Sequence, residues 1–345
     1  MRRVLLLESI LLSMVLLLMR AAYAAEVPPY QVSAWTFGDY TSLENACERE
    51  AIDEVAVDWY FSRADGRLRV SGDEDPAFVS QARTCRLRVL ATVSNWSKVL
   101  GDFDPEIAAT ILASKTSRHR HAVRIVQLCN SKGYDGIDLD WESLRGGDRH
   151  RFSAFVEELA WLLHQNDKIL AIAVHAKTSE LGSWSGEKAQ DWQRLGAAVD
   201  EFKIMTYDYS GAWSDPGPIA PPSWAKKVLT FARTCVPDAK ILMGIPFYGR
   251  DWLDSETADC EYREVQTLIA KYQPTVKRHA TSREATFSYT EAEGADHLVF
   301  FQDRRALAAK LAMLLKAHPE IAGIAIWRMG GETPAFWNEI RRQLR

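Results

Sequence analysis

The chain has 345 residues, 47% hydrophobic and 26% charged, with 42 Lys+Arg against 46 Asp+Glu and a formal charge of −4. That composition excludes a disordered chain or a coiled coil, and it allows one large α/β domain or two smaller ones whose core needs no disulfides to compensate for a small interior. The acidic excess argues against a nucleic-acid partner.

Residues 1–24 read as a signal peptide: Arg2 and Arg3, an uncharged run from Ser9 to Met19, then Ala22-Tyr23-Ala24 as a small-x-small cleavage site. The run is shorter than the roughly 20 apolar residues a membrane span needs, and Arg20 follows it at once. The expectation is a periplasmic or secreted protein with no membrane anchor after cleavage. Losing Arg2, Arg3, Arg20 and Glu8 moves the charge from −4 to about −6.

Beyond the leader, short apolar runs alternate with helical patterns in the manner of repeated βα units on a parallel sheet. The predicted strands are Gln31–Trp35, Glu54–Phe61, Arg86–Asn95, Gly136–Trp141, Ile169–Ala176, Phe202–Tyr207, Lys240–Phe247 and Ile321–Trp327. Eight of them suggest a closed (β/α)8 TIM barrel with its site at the C-terminal strand ends, against a doubly wound open sheet as the competing architecture. About 70 residues separate the last two strands, too many for one helix and its loops, so a small α+β insertion is expected there at about 253–303. Ala285–Thr290 and His297–Phe301 alternate like strands, and Arg304–Ala317 carries a helical stripe ahead of Pro319. Residues 25–345 therefore read as one domain. Of Cys47, Cys85, Cys129, Cys235 and Cys260, an exported protein can pair four, and the spacing shows no zinc pattern.

The chemistry concentrates in Tyr134-Asp135-Gly136-Ile137-Asp138-Leu139-Asp140-Trp141-Glu142. Side chains alternate along a strand, so Asp138, Asp140 and Glu142 share one face, roughly 6.5 Å from one to the next. In a partly desolvated barrel mouth they cannot all ionise cheaply, and one should hold a proton at neutral pH, as a general acid must. A solvated strand end, or a Mg²⁺ or Ca²⁺ site, is the alternative use of such a cluster. The cost of burying three acids between Ile137 and Leu139 favours a catalytic use.

Asp135-x-x-Asp138-x-Asp140-x-Glu142 resembles the D-x-x-D-x-D-x-E signature of glycoside hydrolase family 18, the chitinases and related endo-β-N-acetylglucosaminidases. Met205-Thr206-Tyr207-Asp208 is similar to the family's M-x-Y-D, Gly244-Ile245-Pro246-Phe247-Tyr248-Gly249-Arg250 to its seventh-strand motif, and Gly323-Ile324-Ala325-Ile326-Trp327 to its eighth strand. The resemblance implies a retaining hydrolase in which the substrate's own 2-acetamido oxygen attacks the anomeric carbon, without metal or cofactor. It implies Glu142 as acid and then base, Asp140 orienting the acetamide, Asp138 sharing a proton with Asp140, and Tyr207 donating to the acetamide carbonyl. Asp208 and Met205 would line the same subsite, Trp327 would form the sugar floor, and Arg250 would meet either sugar hydroxyls or an acidic neighbour.

Asp135, on the opposite parity, reads as a structural hydrogen-bonding residue. Trp35 and Asn95, at the ends of the first and third strands, are expected to touch sugar as well. Trp59, Trp96, Trp184 and Trp213 are either further glycan contacts or core, His175 is either a site contact or a satisfied buried histidine, and Arg118-His119-Arg120-His121 reads as a solvated helix face.

The third strand reads Ala91-Thr92-Val93-Ser94-Asn95-Trp96 where many chitinases have S-x-G-G. Ala176-Lys177-Thr178 and Pro216-Gly217-Pro218-Ile219-Ala220-Pro221 resemble the bacterial branch that includes peptidoglycan and spore-cortex lytic glucosaminidases. The expected partner is thus an N-acetylglucosamine-containing glycan, chitin-like or peptidoglycan, cleaved at β-1,4 bonds. A chitinase-like lectin that binds without cleaving is the alternative.

Overall fold

A computed structural model describes residues 30–253 and 256–345; the signal peptide expected at 1–24 lies outside them. Eight parallel strands, β1 (Gln31–Thr36), β2 (Glu54–Ser62), β3 (Arg88–Ser94), β4 (Gly136–Asp140), β5 (Ile169–His175), β6 (Glu201–Met205), β7 (Ile241–Pro246) and β8 (Gly323–Trp327), pair in sequence. β1 also pairs with β2 on one side and β8 on the other, so the sheet closes. That closure is the (β/α)8 barrel, and it excludes the open doubly wound sheet.

Period two divides each strand between two environments. Val32, Val55, Val57, Ile137, Leu139, Ile172, Ile204, Ile245 and Ile326 face outward and are buried under the helices. Trp35, Ala56, Leu90, Ala171, Ala173, Leu242 and Ala325 fill the interior. The four interior alanines leave room for the Trp35 indole and for charged side chains that most barrels of this kind replace with branched apolar ones.

Local sequence starts and stops the surrounding helices. Asp39, Asp75, Asp104, Asp191 and Asp303 each accept a backbone N–H at a helix N-terminus. Gly133 ends Lys115–Lys132 in the left-handed conformation, where the missing Cβ removes the strain. Within that helix His121 is fully buried rather than solvated, its ring nitrogens meeting Ser62 Oγ at 3.1 Å and the Gly66 carbonyl at 2.9 Å.

Between β7 and β8 stands a five-stranded antiparallel sheet. Its strands are Tyr248–Leu253, Glu256–Glu261, Lys277–Arg278, Ala285–Thr290 and Asp296–Phe301, and the helix Tyr262–Tyr272 packs on Phe287, Val299 and Phe301. Tyr248–Leu253 continues almost directly from β7, so the sheet grows out of the barrel wall. Buried Glu284 ties it down by accepting from Ile219 N (2.7 Å) and Ala220 N (2.8 Å). Only one disulfide forms, Cys47–Cys85, with Cα atoms 5.8 Å apart. Cys129 on the helix Lys115–Lys132, Cys235 in the turn after the helix Pro222–Ala232 and Cys260 on the strand Glu256–Glu261 are free, so two cysteines pair where an exported protein can pair four.

Candidate active site

Asp138 and Asp140 project from β4 into the barrel mouth, and Glu142 follows just beyond the strand. Asp138 lies level with Thr92 of β3, and Thr92 lies level with Asp58 of β2. A fourth carboxylate therefore joins the row. Asp58 is legible in the sequence as an acid on the inward parity of Glu54-Val-Ala-Val-Asp58, yet its role depends on β2 and β4 sharing a neighbour.

Asp138 is held by donors on both carboxyl oxygens. Its Oδ2 accepts from Trp35 Nε1 and from Thr92 Oγ1 (3.3 Å), and its Oδ1 lies 3.2 Å from Lys203 Nζ. Lys203, on β6, is wholly buried in the interior and also meets Glu54 (2.9 Å) and Glu201 (3.7 Å), both of which Arg88 contacts as well. Burial alone would strip its proton, but the anions of Asp138, Glu54 and Glu201 push its pKa above the usual lysine value. A lysine inside Glu201-Phe-Lys203-Ile-Met205 was the overlooked signal.

Asp140 and Glu142 have the opposite character. Burial first, then the charges of Glu142, Asp58 and Asp138, raise the Asp140 carboxyl well above its usual range. Glu142 is pushed up to about 8 by burial, with Asp208, Asp102 and Asp58 adding to it. Asp58 rises to about 7 by burial and the nearby Asp138. Burial and mutual repulsion thus favour the protonated forms of these three carboxyls. Asp135 stays outside it, accepting from Val89 N at 2.8 Å.

Asn95 corrects an expectation. It is fully buried, and its amide clamps the Glu142 backbone, accepting from Glu142 N (2.8 Å) and donating to Glu142 O (2.9 Å) and Asp104 O (3.1 Å). With its donor and acceptor used on backbone, Asn95 cannot read sugar. Trp35 is likewise only 2% exposed, covered by Trp327 with ring centroids 5.9 Å apart, and supports the site from below. Trp59 is core too.

The opposite wall comes from β6 and β7. Tyr207 packs with Ile219, Ala220 and Tyr248, against Met205 and Trp327. Gly244 makes this possible: a Cβ there would sit 2.5 Å from the Ile204 carbonyl and 2.9 Å from the Tyr207 ring. Burial, then Asp140 and Glu142, raise the Tyr207 pKa well above the usual phenol value, so its hydroxyl remains a donor. Asp208 adopts left-handed backbone (φ +57), as does Ser143 after Glu142 (φ +53); such strain in non-glycine residues gathers at functional sites. Asp208 accepts from Tyr248 Oη and from Arg250 (2.8 Å). Arg250 also donates to Asp259 (2.8 Å) and the Ser210 carbonyl (2.7 Å), so of its two expected partners it meets the acidic one. Phe37, Trp184, Tyr209 and Trp213 are exposed aromatics, Trp213 at 68%.

The row of acids suits proton transfer to a leaving group. Among the described residues no set of three or more His, Cys, Asp or Glu is arranged to hold a metal ion.

The profile of Glycosyl hydrolases family 18 matches residues 43–332. An uncharacterized glycosylase of Bacillus subtilis is 27% identical over 312 residues, 89% of this chain and 90% of its own. The cortical fragment-lytic enzyme of the same organism is 27% identical over 68% of this chain and 56% of its own. Among solved structures, a chitinase from Chromobacterium violaceum superposes with a TM-score of 0.83 at 29% identity, covering 91% of this chain and 99% of that one.

Proposed function

The chain belongs to glycosyl hydrolase family 18 and is a glycoside hydrolase, and on that premise we propose that it is a retaining, substrate-assisted enzyme cleaving β-1,4 bonds after N-acetylglucosamine. The observation that carries this reading is a buried Asp140, its carboxyl raised well above its usual range, on the same strand face as a Glu142 raised to about 8. A two-carboxylate retaining mechanism needs an ionised nucleophile. A carboxyl whose pKa burial and neighbouring acids raise is a poor one, whereas the acetamido oxygen of the substrate needs only to be oriented.

In the proposed reaction Glu142 delivers its proton to the glycosidic oxygen as the acetamido oxygen closes on the anomeric carbon. Asp140 accepts the acetamide N–H. As oxazolinium charge builds, a proton shared by Asp140 and Asp138 moves toward Asp138 and leaves a compensating negative charge beside the cation. Tyr207 donates to the acetamide oxygen, Asp208 and Met205 line the subsite, and Trp327 supplies the floor. Glu142, now ionised, then takes a proton from the water that opens the ring, which restores the starting states.

The similarity to a chitinase and to a cortical fragment-lytic enzyme supports N-acetylglucosamine polymers as substrate, chitin-like or peptidoglycan. The leader at 1–24 supports action outside the cytoplasm.

The test is product analysis by mass spectrometry with chitooligosaccharides and purified peptidoglycan in parallel, using the wild type and Glu142→Gln. Hydrolysis by the wild type alone is expected, with N-acetylglucosamine at the new reducing end. Unchanged turnover by Glu142→Gln would remove Glu142 as the acid, and glycan binding without cleavage by the wild type would make the protein a lectin.

A further inference from the structure

His175 ends β5 with its side chain in the mouth, where the mechanism above gives it nothing to do. Its Nδ1 lies 3.5 Å from Glu142 Oε2. Its Nε2 is buried and has no hydrogen-bond partner among the described residues. The edge of Trp184 covers the ring, with centroids 4.6 Å apart, and Gln190 Oε1 accepts the His175 backbone N–H at 2.8 Å, fixing where the ring starts. Burial pulls the imidazole pKa down to about 4, so the ring is neutral across the working range and carries one N–H.

That single proton has one useful place. On Nε2 it would be a buried donor without an acceptor, a costly arrangement. On Nδ1 it faces Glu142, whose carboxyl oxygen accepts in either protonation state. We infer that His175 is a positioning residue for Glu142, its Nδ1–H held against the carboxyl and bonding most strongly once Glu142 has given up its proton. The inference rests on the assignment of Glu142 as the acid.

The consequence is differential. A neutral donor bonds a carboxylate about twice as strongly as it bonds a neutral carbonyl. The contact therefore strengthens as the proton leaves for the glycosidic oxygen, the kind of interaction that raises turnover rather than affinity. The other groups acting on Glu142 are Asp140 on β4, Asp208 and Tyr207 beyond β6, Asp102 after β3, and Asp58 on β2. Apart from the Tyr207 phenol all are carboxyls, and where ionised each opposes loss of the Glu142 proton.

Two amides separate this role from simple packing. The Asn amide reaches the place of the histidine Nδ1, and the Gln amide that of Nε2. His175→Asn, His175→Gln and His175→Phe would be compared with the wild type on whichever of N-acetylchitohexaose and purified peptidoglycan the wild type cleaves. The readout is the pH profile of kcat/KM, with thermal denaturation reporting folding.

His175→Gln and His175→Phe should move the alkaline limb upward by about one pH unit and lose about tenfold in kcat. His175→Asn should keep the limb near the wild-type position. If Asn and Gln give the same profile, or if the Phe limb does not move, the inference is overturned; should the Phe variant fail to fold, the amide pair decides alone. Glu142→Gln in the same series separates the two failures. A silent Glu142→Gln with matching Asn and Gln profiles removes only the role of His175, whereas an active Glu142→Gln removes the acid assignment and this inference with it.

Discussion

Replacing Lys203 with Met keeps the length of the side chain and removes a cation that touches Asp138, Glu54 and Glu201 together. At an effective dielectric near 20, the attraction is about 5 kcal/mol to Asp138 at 3.2 Å and about 6 kcal/mol to Glu54 at 2.9 Å. Desolvating the ions offsets most of this, so the network as a whole adds little net stability. Breaking it is a different matter, because the anions stay behind in the interior, and the loss should be about 3–5 kcal/mol.

The pH dependence carries the sign. Burial would raise the Glu54 carboxyl, but Lys203 and Arg88 hold it below its usual value. In the wild type it therefore adds stability above the unfolded carboxylate range, lost as the pH falls. In Lys203→Met burial wins, the Glu54 pKa rises above the unfolded value, and its contribution is lost as the pH rises instead. Glu201, already pushed up to about 7 by burial and Glu54, moves the same way. Chemical denaturation at pH 5 and pH 8 would measure both effects, with a larger deficit expected at pH 8. A loss below about 1 kcal/mol, or the same deficit at both pH values, would refute the reading of the barrel interior as a charged network. Turnover should fall too, since Asp138 loses its cationic partner.

Three further outcomes are expected. Because Glu142 must enter the reaction protonated and its carboxyl sits at about 8, kcat/KM should hold through neutral pH and fall above about 8; a fall already complete at pH 6 would contradict that. Asn95→Ala should cost about 3 kcal/mol by unfolding measurements, since it strips the partners from Glu142 N and O, and should lower kcat at least about tenfold by freeing the acid. Reducing Cys47–Cys85, which closes 38 residues, should lower stability by about 4 kcal/mol, read as a drop in the denaturation midpoint with the mature protein still active below it.

Much of the site was legible because it lies on single strands. Asp138, Asp140 and Glu142 share a face by strand parity, and no tertiary contact is needed to know it. Trp327 at the end of β8 and Tyr207 beyond β6 follow the same local logic. Trp35 and Asn95 show where that logic stops: strand-end position says that a side chain reaches the mouth, but not whether it meets sugar or is covered by Trp327 or spent on the backbone of Glu142. The insertion was visible where Ala285–Thr290 alternates and invisible at Glu256–Glu261, a polar strand paired with Tyr248–Leu253.

The amino-acid order by itself determined the eight strands, the helix caps and the row of three acids, because each depends on residues within a few positions of one another. Closure of the barrel decided the rest. It set Asp58 level with Thr92 and Asp138, brought Lys203 from β6 beneath Asp138, and turned His175 of β5 toward Glu142. How far each acid's pKa is moved follows from those neighbours and from burial, and both exist only once distant strands have met.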